Sequence, residues 1–119
     1  MPGAGGGLAW TKFAQAKPDG YTVCGINIPH IILQPLSQKD VAFQTEDLKP
    51  LCIFESTPIG LAVKKDSKIN SVKDFIEFAR ANPNKITIGI SGKFSGHHMA
   101  SLLFMKMTDT KLTLVTFTG

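Results

Sequence analysis

Five side chains able to do chemistry fall within ten residues, in the run GISGKFSGHH at 89–98: Ser91, Lys93, Ser95, His97 and His98. Three kinds of chemistry suit such a set: attack by a serine, metal ligation, and the holding of an anion. Attack by serine is unsupported, because Ser91 and Ser95 lack a G-x-S-x-G elbow and no Asp or Glu is placed to orient a histidine. Metal ligation is unsupported too. Neighbours on a helix project about 100° apart, so His97 and His98 do not share one ion. His30 is the one other histidine, and no Cys-x-x-Cys or carboxylate cluster accompanies it. No metal and no cofactor are expected. Anion binding fits better. A strand end, small residues and a helix start gather N–H groups without intrahelical partners, and the helix dipole adds partial positive charge. The hydroxyls of Ser91 and Ser95, the backbone at Gly92 and Gly96, and Lys93 complete a site suited to a carboxylate. Ser95 suits a plain helix cap in a solvated loop equally well. These residues alone leave the two readings level.

The elements that would position this loop alternate. Five runs rich in Ile, Val, Leu, Phe and Thr read as strands: GYTVCGINI, LCIFES, IGLAVK, ITIGIS and LTLVTF. Helical stretches lie between them. In SVKDFIEFARANPN, Ser71 caps, Asp74 stands three residues on as in a capping box, Val72, Phe75, Ile76 and Ala79 form an apolar face, and Asn82-Pro83 stops it. A helix near 8–15 opens after the glycines and closes at the turn KPDG. Another near 98–107 is apolar nearly all round and is expected to be deeply buried. Strands separated by crossover helices predict parallel pairing and an α/β fold, with ligands beyond the carboxyl ends of the strands. Three turns qualify: GAGGG, INIPHIILQP and ISGKFSGHH. GAGGG lacks the phosphate-loop spacing and reads as a tight strand-to-helix turn. The polar stretch KKDSKINS marks a possible change of domain.

Composition narrows the partners. The 119 residues carry a net charge of +4, with 43% hydrophobic and 18% charged residues, enough apolar content for a core. The thirteen basic residues are scattered, and the aromatics do not interleave with Arg, which speaks for anionic ligands and against nucleic acid. No apolar run approaches the ~20 residues that span a bilayer. MPGAGGGLAW has neither the basic nor the apolar region of a signal peptide. Cys24 and Cys52 lie in apolar segments and read as buried free thiols.

In order along the chain, PGAGGG, KPDGYT, NIPHIILQP, TPIGLAVKKDS, SVKDFIEFARANPNKITIGISG with HHMASLLF, and LVTFTG resemble the solute-receptor family of tripartite tricarboxylate transporters. These are the extracytoplasmic binding proteins of bacterial carboxylate uptake, and the likeness covers essentially the whole chain. It implies a two-lobed periplasmic-binding-protein fold of type II-like α/β sheets, parallel or mixed, with flanking helices and a small carboxylate in the cleft. It also implies an internal fragment, 1–65 being part of the first lobe and 66–119 the start of the second. The longer protein would be exported and would hand its ligand to membrane permease subunits. The family's second-lobe carboxylate loop falls on Ser91, Gly92, Lys93, Phe94, Ser95, Gly96, His97 and His98, with Phe94 where a glycine is usual. The first-lobe loop falls on Asn27, Ile28, Pro29 and His30, and Pro29 supplies neither hydroxyl nor amide donor. A receptor of this kind is not an enzyme. A small α/β hydrolase or transferase using Ser91 or His97 is the alternative. Sheets drawn from distant strands leave open edges in this stretch, so a homo-oligomer is expected, exchanged about residues 64–71.

Overall fold

The computed structural model describes residues 4–38 and 41–117. Two hydrophobic clusters form within them. The first is built by α1 (Gly7–Ala14), α2 (His30–Ser37) and a 3-10 turn, Thr45–Asp47. Trp10, Ile31 and Phe43 are its buried centre, with Ala14, Cys24, Val41 and Leu48 against them. The Trp10 indole meets Phe43 edge-on at 6.1 Å and donates to the Gly25 carbonyl at 2.9 Å. The glycines before α1 are there for space and conformation: Gly6 has φ +92°, and a Cβ on it would lie 2.6 Å from the Trp10 ring. The front-turn residues Pro2 and Gly3 lie outside the described residues.

The helix α2 stands where INIPHIILQP was expected to be a turn, and it holds Pro35 inside it. Proline has no N–H for the carbonyl four residues back, here that of Ile31. The hydroxyl of Thr45 donates to that carbonyl at 2.9 Å instead, so the first cluster itself supplies the missing partner.

The second cluster runs α3 (Val72–Ala81), β1 (Thr87–Ile90), α4 (Gly96–Thr108) and β2 (Thr113–Thr116). Ser71 caps α3 as expected, accepting from the Asp74 amide at 3.1 Å, while the Asp74 carboxylate reaches one residue further back, to the Asn70 amide. Phe75 and Ala79 bury against Leu112, with Ile86, Ile88, Phe104, Met105 and Leu114 around them. The two strands pair in parallel, Thr87 opposite Thr113 and Ile90 opposite Thr116, and the Phe117 amide continues the ladder to the Ile90 carbonyl. This is the expected strand-helix-strand unit, and it aims the end of β1 into the loop at 91–95. At the far end of α4, Arg80 donates to the Thr108 carbonyl at 2.9 Å.

Three expected strands are absent. Residues 22–27 and 49–64 carry no helix, strand or turn. A strand exists only where its N–H and C=O groups find a ladder, and no sheet neighbour meets these runs among the described residues. Their apolar side chains stay exposed, Ile53 to 85% and Leu51 and Phe54 to 77%. The helix α4 also departs from expectation, since none of its residues is fully buried: only one face meets the second cluster, and Leu103 and Met107 point outward. Both cysteines are free, but Cys52 is exposed and Cys24 half-buried, because the runs that hold them are not inside a sheet. The radius of gyration is 17.6 Å, where a compact domain of this length has about 13–14 Å.

Candidate functional site

The loop from Ser91 to Gly96 is held by its own polar groups. Ser95 Oγ accepts from the His98 amide at 3.1 Å, the cap that starts α4, and Ser95 is 1% exposed. The Ser95 amide donates to the Gly92 carbonyl at 3.3 Å, and the Phe94 amide donates to His98 Nδ1 at 3.1 Å. The latter bond requires Nδ1 of His98 to be the acceptor, so its proton sits on Nε2. Ser91 Oγ lies 2.9 Å from His97 Nδ1. Gly96 and His97 are the first two residues of α4, where amides have no intrahelical acceptor, and neither amide has a partner among the described residues. Two N–H donors, a serine–imidazole pair and the exposed Lys93 thus surround the start of one helix.

Phe94 is the unusual member. Its φ is +66°, the left-handed region that glycine enters freely and that costs another residue on the order of 1–3 kcal/mol. Its ring stands edge-on to the His98 ring, centroids 6.1 Å apart, and the Lys93 ammonium lies 5.3 Å from its centroid.

The other expected loop ends at His30, the first residue of α2. His30 packs edge-on to Trp10 at 6.4 Å, and its ring borders Gly5 in the front turn. Burial lowers the pKa of His30 below the ordinary 6.5, and the charge of His97 lowers it further. Its Nδ1 is buried without a hydrogen-bond partner among the described residues. The structure therefore brings His30 and His97 within electrostatic reach of each other across 67 positions of sequence. Asn27 is placed differently: its carbonyl accepts from the Ile31 amide at 3.0 Å at the entry to α2, while its exposed side chain makes no hydrogen bond among the described residues. Gln34, one turn beyond His30, is buried and donates to the Gly5 carbonyl at 3.3 Å. It was missed because the i, i+4 relation appears only once 30–37 is read as a helix.

Among the described residues no carboxylate hydrogen-bonds His97 and no group of His, Cys, Asp or Glu has the makings of a metal site. Among the described residues, the Ser91–His97 pair thus has no acid that would orient a catalytic imidazole. A surface depression of about 480 Å³ lined by Ser67, Lys68, Ile69, Asp74, Glu77 and Phe78 includes none of the expected residues.

Known proteins resemble this chain in sequence and in fold. Residues 1–119 match the family described as the tripartite tricarboxylate transporter family receptor. A UPF0065 protein of Cupriavidus necator is 33% identical over 98 residues, 82% of this chain and 30% of that protein. Another, from Bordetella pertussis, is 29% identical over the same shares. Among solved structures, R. palustris Rpa4515 with adipate superposes with a TM-score of 0.83 at 30% identity, covering 96% of this chain and 38% of the other. A structure described as a periplasmic transporter gives 0.73 at 26% identity, covering 99% and 40%. The chain thus spans about a third of the length of the curated relatives it matches.

Proposed function

Because this chain belongs to the tripartite tricarboxylate transporter receptor family, we propose that it acts as part of an extracytoplasmic solute-binding protein that captures a small carboxylate. Residues 1–65 and 66–119 contribute to two lobes, each around one of the two hydrophobic clusters. The carboxylate lies between the His30 end of α2 and the Ser91–His98 loop. There it accepts from the amides of Gly96 and His97, and Ser91 and Lys93 add a hydroxyl donor and a positive charge. Closure of the lobes follows from the ligand touching both at once, which favours the closed state. The complete receptor delivers the ligand to membrane permease subunits and performs no turnover.

The observation that carries this reading is the first turn of α4, where the Gly96 and His97 amides have no partner among the described residues and the Ser91–His97 pair and Lys93 belong to the same loop. The start of α4 offers donors and positive potential to one anion. Adipate, which accompanies the structural neighbour Rpa4515, makes a short dicarboxylate the first ligand to try. Titration of the chain with adipate, citrate and acetate by calorimetry should give saturable heat for at least one of them. It should be weakened by ~1–3 kcal/mol in Ser91→Ala, the usual cost of a lost hydrogen bond to a charged group. Saturable binding by none, or equal binding by Ser91→Ala, would remove the site.

A further inference from the structure

We infer that Phe94 sets the ligand class of this site, selecting carboxylates with an apolar body and a second negative end. The inference rests on the carboxylate site proposed above. Three features of the loop carry it. Phe94 occupies a left-handed conformation, φ +66°, in which a glycine would be unstrained, so a side chain is kept there against the backbone's preference. The ring stands edge-on to that of His98 in the first turn of α4, the turn that also carries the Gly96 and His97 amides, which have no partner among the described residues. The Lys93 ammonium lies 5.3 Å from the ring centroid, on the same loop. Helix-start donors, an aromatic surface and a cation therefore follow one another over a few residues. An α,ω-dicarboxylate matches that order: one carboxylate on the amides, a methylene chain along the ring, the far carboxylate on Lys93. A hydroxylated tricarboxylate such as citrate would press a polar centre against the ring and lose hydration without a hydrogen bond in return.

The test compares the 119-residue chain with Phe94→Gly and Phe94→Leu, titrated with adipate and citrate by calorimetry. In the unsubstituted chain adipate should bind at least tenfold more tightly than citrate. Phe94→Gly should reduce that ratio about tenfold while raising the melting temperature, because glycine relaxes the turn; Phe94→Leu should keep most of the selectivity without gaining stability. An adipate-to-citrate ratio that stays within twofold across all three proteins would overturn the role of Phe94 and leave the carboxylate site standing. Failure of the unsubstituted chain to bind either acid would remove the site, and this inference with it.

Discussion

His30 is penalised for carrying charge first by burial and then by His97, and both effects favour its neutral form in the folded chain. A depressed histidine pKa gives stability that is complete above the unfolded value, near 6.5, and lost as pH falls through the lower folded value. The melting temperature should therefore drop between about pH 7 and pH 5, and drop less in His30→Asn. Equal drops in both proteins would mean that His30 is not the group responsible. A bound carboxylate reverses the sign, since an anion beside His30 favours its protonation. Adipate should bind more tightly as pH falls from about 8 to 6, with proton uptake visible as different heats in buffers of different ionisation enthalpy. Ser95 has a separate role. With its oxygen accepting from the His98 amide, Ser95→Ala should cost about 1 kcal/mol of stability, measured by urea unfolding, through loss of the cap.

The helix α2 depends on a residue outside it. Thr45→Val leaves the Ile31 carbonyl without the hydroxyl that replaces Pro35's missing amide, and should destabilise the first cluster by about 1–3 kcal/mol. The loss should appear in the fluorescence transition of Trp10, which packs with Ile31; an unchanged midpoint would show that water serves that carbonyl as well. This dependence also explains what was legible in the sequence. The cap and apolar face of α3, the βαβ unit and the serine-glycine loop were visible because their determinants are local. The helix α2 was hidden because its exception is resolved by Thr45, ten residues beyond Pro35. The runs 51–56 and 59–64 have strand composition, but a ladder is a property of two segments, and one segment's sequence does not supply its neighbour. At the site, the 91–98 loop was readable as a donor cluster. The approach of His97 to His30 was not, being fixed by how two distant segments fold.

Taken whole, the chain exposes 9244 Å² of surface, against about 6,300 Å² for a compact monomer of its mass. The surplus exceeds the ~1,600 Å² of a standard interface. Much of it is apolar, including Tyr21, Leu51, Ile53 and Phe54. The purified chain should therefore self-associate at micromolar concentration in sedimentation velocity. A single species at 12.9 kDa that unfolds cooperatively would contradict this. Residues 49–64 carry a further consequence. Joining the two clusters without a ladder, they act as a leash whose end-to-end distance is about 20–24 Å if flexible, which holds each half near the other at millimolar effective concentration. A single proteolytic nick in this segment would leave both clusters chemically intact, yet make the meeting of His30 with His97 an encounter between two molecules, which dilution alone would then abolish.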